Sequence, residues 1–182
     1  MSRKARWSGP FLVRVGAAAL LYAALHWLFL KLPHTLPLGN RYLDLRPDVL
    51  PPLAAGLLAG PWAGAVVGGL GRLGGDLLAG AGLDGPGLIY SGLLGLIAGL
   101  GRRPRANFRT VRPLLWALVW VLTATVTAGL AVPLVVEAGL LGRYPLAGAW
   151  ARAVSEALSG AVAGLLLMPG VLVGVGQRQD RV

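Results

Sequence analysis

The chain has no cysteine and little charge. Without cysteine there are no disulfides and no thiolate metal sites, and the compartment cannot be read from redox chemistry. Only 13% of the 182 residues are charged while 55% are hydrophobic, and mean hydropathy is +0.68. A soluble domain of this length rarely drops so far in charge. Alternation of apolar and polar residues is also lacking. The apolar runs are continuous, which argues against a transmembrane β-barrel. No nucleophile constellation, His-Glu-x-x-His pair or P-loop occurs. Gly69-x-Gly71-x-x-Gly74 spells a dinucleotide fingerprint, but inside an apolar helix rather than after a strand. The two histidines, His26 and His34, have no matching acid or cysteine cluster beside them in sequence. No catalytic residue, metal or cofactor is therefore assigned. An ATP-driven process would need its nucleotide site on another subunit.

What is present points to lipid. Several stretches near 20 residues are almost wholly apolar, the length a helix needs to cross a hydrocarbon core. The reading is a single integral, multi-pass membrane domain over residues 1–182. The net charge of +10 falls in short clusters between apolar runs. That is the pattern of topology signals rather than of a nucleic-acid surface. The amino end lacks a small-residue cleavage site, so no removable signal peptide is expected.

Four spans are clear, at about residues 10–32, 86–101, 113–137 and 146–176. Between the first two lies PPLAAGLLAGPWAGAVVGGLGRLGGDLLAG, residues 51–80, interrupted by Gly60-Pro61. Charge decides how often it crosses. Arg3, Lys4 and Arg6 precede the first span, Arg102, Arg103, Arg105, Arg109 and Arg112 precede the fifth, and Arg178 and Arg181 follow the last. All three clusters should face the cytoplasm, so an even number of crossings separates the first from the second. The interrupted region then crosses twice, as helices at about 43–60 and 61–80. They turn at Gly60-Pro61-Trp62, with Pro61 in a first helical turn where its missing N–H is no loss. The expectation is an all-α membrane protein, a compact bundle of six transmembrane helices with both termini cytoplasmic. From Val49 to Gly60 there are only 12 residues, about 18 Å of helix. The second helix must start near Leu43 or sit in a thinned or protein-lined region.

Gly56, Gly60, Gly64 and Gly68 recur every four residues, as do Gly71 and Gly75, Gly95 and Gly99, and Gly160 and Gly164. This spacing puts small residues on one helix face and lets backbones approach closely. One reading is packing within the bundle. The other is a surface for a partner helix, which fits best on the first span with Gly16-Ala17-Ala18-Ala19 and Ala23-Ala24.

Ionisable residues inside spans are functional-site hypotheses. Arg72 and Asp76 are four apart and share a face, as do Arg152 and Glu156. Ser155 and Ser159 flank the second pair, Trp150 lies at interface depth, and Tyr90 and Ser91 lie in the outer part of the fourth helix. A mutually neutralising structural pair and a binding site both remain open readings. Were these helices to converge, they would form an outward pocket suited to a small polar or zwitterionic ligand with a flat ring. Glu137 is read as marking an outer boundary. Thr123, Thr125 and Thr127 are read as back-bonding to their own helix, and Arg14 as snorkelling.

Gly39-Asn40, Leu43-Asp44-Leu45 and Pro51 through Ala55-Gly56-Leu57-Leu58-Ala59-Gly60-Pro61 with Gly64 resemble substrate-binding S components of energy-coupling factor (ECF) transporters. Gly75-Asp76-Leu77-Leu78, Gly85-Pro86-Gly87-Leu88-Ile89 and Gly92 to Gly99 are similar to the riboflavin-type branch. The close match covers about residues 39 to 103. The resemblance implies capture of a vitamin or similar micronutrient from outside the plasma membrane. It further implies docking on a transmembrane coupling subunit driven by two ATPase subunits, and toppling in the bilayer to release cargo. It makes the outer loop 33–48 a lid, and adds Asn40 and Asp44 to Arg72, Asp76, Tyr90, Arg152 and Glu156 as candidate substrate-binding residues. It also makes the small-residue face of the first helix the docking surface. There, Ala19 and Ala23 keep a four-residue spacing and Val15 and Trp27 take the flanking steps. The substrate itself does not follow.

Leu43-Asp44-Leu45-Arg46 with the Gly-Pro turn and Arg72 also resembles the five-helix LytS-type ligand sensor. Such sensors precede cytoplasmic signalling domains, whereas this sequence ends at Val182 just past its last span. A structural membrane protein without ligand is the third reading. The parity argument makes a direct prediction: side-selective labelling should place the 102–112 arginines on the same face of the membrane as the amino end. Labelling on opposite faces would undo the hairpin and the outward pocket together.

Overall fold

The computed structural model describes residues 9–31, 35–38, 41–44, 47–80, 82–103, 107–108 and 110–179, with backbone only for the two strands and for 175–179. Six helices are present among them. They are α1 (Gly9–Lys31), α2 (Leu50–Ala59), α3 (Pro61–Ala79), α4 (Gly85–Leu100), α5 (Val111–Ala131) and α6 (Leu146–Gln179). α5 runs on as a π-helix over Val132–Leu140, and a 3-10 turn at Pro47–Val49 leads into α2. Three helical stretches are long and apolar enough to cross a membrane: Gly9–Lys31, Val111–Leu140 and Leu146–Gly174. Pro47–Ala59 and Gly85–Leu100 are shorter apolar helices.

The loop between α1 and α2 holds something the sequence reading lacked. β1 (Thr35–Leu38) and β2 (Arg41–Asp44) pair antiparallel, with Thr35 opposite Asp44 and Leu38 opposite Arg41. The second helix therefore does not begin near Leu43, because Leu43 and Asp44 belong to a strand. It begins at Leu50 and is 10 residues long, about 15 Å. So short a helix survives because its own bundle surrounds it. α2 packs on α1, α3, α4, α5 and α6, and none of its residues is exposed. A backbone that neighbouring protein covers need not match the lipid in length.

The turn after α2 falls at Gly60-Pro61, as the charge parity requires. Gly60 has φ of 110°, open to glycine at no steric cost, and its N–H caps α2 at the Gly56 carbonyl. Arg102 Nε donates to the Leu58 carbonyl at 3.1 Å, placing a cation at the negative end of that helix. The start of α3 is thus held against the end of α4.

The helix directions follow from side-chain contacts. Tyr22, Ala23 and His26 of α1 meet Gly71, Gly74 and Gly75 of α3 in the same order, so the two run parallel. Gly129 of α5 meets Ala157 of α6, whereas Val121 meets Gly164, so that pair is antiparallel. The start of α1, the Gly60 turn, Arg102 and Arg103, and the end of α6 therefore share one end of the bundle. The hairpin, Asp48, Asp84, Glu137 and Glu156 lie at the other.

Glycine makes the tightest of these contacts possible. A β-carbon on Gly64 would overlap the Gly95 carbonyl, and one on Gly68 would overlap the Ser91 carbonyl. Backbone therefore lies directly on backbone between α3 and α4. Val49, Leu53, Leu57, Leu94, Val121, Met168 and Leu172 fill the larger apolar cluster among α2, α4, α5 and α6. Val15, Tyr22, Ala63 and Val67 fill a second between α1 and α3.

The two alanines singled out on α1 sit against the bundle in this chain. Ala19 and Ala23 are buried, at 7% and 4% exposure. Ala23 Cβ lies 3.0 Å from where a β-carbon on Gly74 would stand. Ala23 thus packs α1 onto α3. The outward stripe of α1 is Val13, Ala17, Leu20, Ala24 and Leu28.

Gly64→Ala should lower thermal stability in detergent strongly, by about 1–3 kcal/mol or more, since the added methyl meets backbone that cannot yield. Gly69→Ala should be neutral, because nothing lies within 4 Å of its β-carbon position. Equal melting temperatures for the two variants would refute the close-packing account.

Candidate functional site

Sequence places Arg72 and Asp76 one helical turn apart, and the fold turns both inward. Arg72 Nε donates to Asp76 Oδ1 at 3.1 Å, and Arg72 Nη2 to Asp84 Oδ2 at 2.9 Å. Asp84 stands at the N-cap of α4 but makes no capping bond with its side chain; its carboxylate is committed to Arg72. Gly87, in the first turn of α4, leaves the space the guanidinium fills, since a β-carbon there would lie 2.8 Å from Arg72 Cζ.

Behind Arg72 the network continues into α1. Asp76 Oδ1 also lies 3.1 Å from His26 Nε2, and His26 Nδ1 lies 2.9 Å from Asp48 Oδ2. All four residues are buried. One helical turn before His26, Tyr22 hydrogen-bonds Ser91 across to α4 at 2.8 Å. His26 is thus no isolated histidine. Its acids come from residues 22 and 50 positions away, a separation that local motif reading does not bridge.

A second charged group forms on α6 and the π-helix. Arg152 Nε lies 3.3 Å from Glu137 Oε2 and 3.4 Å from Glu156 Oε1. Arg152 Nη1 donates to the Tyr144 hydroxyl at 3.0 Å, and the guanidinium lies over that ring at 5.5 Å. Glu137, read from sequence as a boundary marker, is instead 1% exposed. The helix does not end there. Pro133 at the start of the π segment supplies no N–H to the α ladder. The wider turns carry the chain on to Leu140 with Glu137 facing inward, and such π segments are frequent at functional sites.

The two groups border one cleft of about 50 Å³. Arg72 and Asp84 line it from one side, Glu137, Arg152 and Glu156 from the other, and Pro86, Tyr90, Val132 and Pro133 supply apolar wall. Of the candidate residues taken from sequence, Arg72, Tyr90, Arg152 and Glu156 come together here. Asp76 does not line the cleft; it stands behind Arg72 and orients it. Asp44 lies in β2, whose side chains are not described, and Asn40 and His34 lie outside the described residues. Asp84 and Glu137 were missed as lining groups. Asp84 sits in a loop, where the rule for charges inside spans does not look. Thr123 and Thr125 do bond back to Val119 and Val121.

Three carboxylates and two guanidiniums thus face the cleft, and each guanidinium already has two acidic neighbours. Such a lining offers hydrogen bonds of both kinds but, among the described residues, no uncommitted cation for a phosphate. A space of about 50 Å³ holds a few waters, whereas sites for organic ligands run to roughly 300–1,000 Å³. Admission of a ring system therefore requires one wall to move.

No curated protein matches the chain. The family model of the ECF-type riboflavin transporter S component matches residues 12–173, a stretch that takes in α2 to α5 whole, most of α1 and α6, and every group at the cleft. With that match, the apolar helices and the convergence of both ion-pair groups on one cleft, the chain belongs to the S components of ECF-type riboflavin transporters, membrane proteins that bind substrate for transport.

Proposed function

We propose that this S component captures riboflavin, or a close neutral relative, from outside the plasma membrane through the cleft between α3, α4, the π-helix and α6. The observation that carries the reading is the meeting of Arg72, Tyr90, Glu137, Arg152 and Glu156 at one end of a family-matched bundle. A flavin has a flat ring with donors and acceptors along one edge and a chain of hydroxyls. Tyr90 and the two prolines supply apolar contact for the ring, and the paired charges supply polar partners for its edges. Because the cleft's carboxylates outnumber its guanidiniums, the uncharged vitamin fits better than a phosphate ester of it. The arginine-bearing end faces the cytoplasm by the positive-inside rule, which puts the cleft outside and leaves the hairpin-bearing loop as its lid.

Delivery then needs a transmembrane coupling subunit and two ATPase subunits. Support for this comes from the family and from the want of any nucleotide motif in the chain. The exposed stripe of α1 through Ala17 and Ala24 is the side from which a partner helix can approach closely. A LytS-type sensor has no support from the family match.

Riboflavin titrated into the purified protein should lose fluorescence on binding, and its phosphate ester should bind more weakly. Arg152→Ala and Glu156→Ala should each weaken riboflavin binding about tenfold, on the scale of a lost charge-assisted hydrogen bond, while both variants still insert in the membrane. Full affinity in both would remove α6 from the site. Ala24→Trp should impair uptake in cells and leave binding intact, and undiminished uptake would place docking elsewhere.

A further inference from the structure

We propose that His26 is a positioning residue for the cleft: bridging two acids, it fixes Asp76, and Asp76 fixes Arg72. The proposal rests on the reading of the cleft as the substrate site, but its geometry belongs to α1, α3 and the 3-10 turn that carries Asp48.

Both ring nitrogens of His26 face carboxylate oxygens, Asp48 Oδ2 at 2.9 Å and Asp76 Oδ1 at 3.1 Å. The ring thus ties an acid of the 3-10 turn at Pro47–Val49 to an acid of α3. The remaining titratable or charged groups around it, among the described residues, are Tyr22, edge-on at 6.0 Å on the same helix, and Arg72, bound to the far side of Asp76. The ring is 3% exposed, and the absence of a side chain at Gly75 makes its seat. A β-carbon there would stand 2.7 Å from His26 Cδ2.

Asp76 Oδ1 therefore accepts from Arg72 Nε and lies within hydrogen-bond distance of His26 Nε2. Its other oxygen has no hydrogen-bond partner among the described residues. Among the described residues, that pair sets the orientation of this carboxylate. Arg72 in turn reaches Asp84 and borders the cleft. Without the histidine's contact, Asp76 is free to rotate, and the guanidinium loses the acceptor that fixes its Nε.

Two measurements on the full chain test this. The chain has two histidines, so 15N-histidine labelling in a His34→Gln background leaves one imidazole to observe. The Nε2 signal of His26 should move in Asp76→Asn, and an unmoved signal would overturn the proposal. Riboflavin titrations of His26→Gln, Asp76→Asn and the double variant give the second test. His26→Gln should weaken binding about tenfold, and should add no further loss once Asp76 is already asparagine. The same loss on both backgrounds would refute action through Asp76. If His26→Gln does not fold, Asp48→Asn replaces it. That variant should lower riboflavin affinity, and unaltered affinity would count against the proposal. If the unmodified protein binds no riboflavin, the cleft assignment fails, whereas the histidine spectrum still decides the contact with Asp76.

Discussion

The architecture depends on α3 and α4 meeting backbone to backbone. In lipid no hydrophobic drive pulls helices together, because the tails are as apolar as the side chains. Association then depends on how closely the helices approach. Gly64 lies on Gly95, and Gly68 on the Ser91 carbonyl. This contact brings the outer half of α3 to the first turns of α4, which is where Arg72 finds Asp84 and the space left by Gly87. Glycines on the other face of α3, Gly71 and Gly75, do the same for Tyr22 and His26 of α1. A loosely built segment is thus what a helix needs when it must touch two neighbours at backbone range.

Close approach then makes burial of charge tolerable. Asp48, His26, Asp76, Arg72 and Asp84 form a chain in which each group touches the next. Removing such groups from water is expensive, and their mutual attraction offsets it only when geometry and hydrogen bonds are good. The network gives little ground for claiming stability, but strong ground for a fixed register. A shift of α1 along α3 by one turn would part His26 from both acids at once.

Much of this was legible in the sequence. The turn at Gly60-Pro61 followed from counting arginine clusters, and the six helices followed from that turn. The ion pairs Arg72–Asp76 and Arg152–Glu156 followed from four-residue spacing. What was not legible had a common cause: it depended on which face of an apolar helix points inward. On α1 both faces are rich in alanine and leucine, so spacing alone could not tell buried Ala19 and Ala23 from exposed Ala17 and Ala24. His26 and Glu137 were set aside because their partners lie far off in sequence. The hairpin at residues 35–44 was missed because its strands are four residues each and too short to show a period against an apolar background.

The walls of the cleft differ in how firmly they are held, and this bears on how it can widen. On one side Arg72 is buried and clamped between two acids, on helices locked by glycine contacts that leave no room to slide. On the other, Arg152 is 40% exposed and the segment 141–148 that leads to it is exposed throughout. The π-helix that carries Glu137 has the wider and less regular turn. Movement costs least where fewest packed atoms are lost. The α3–α4 wall is therefore the more firmly held, and the π-helix with the start of α6 is the side whose movement would cost least.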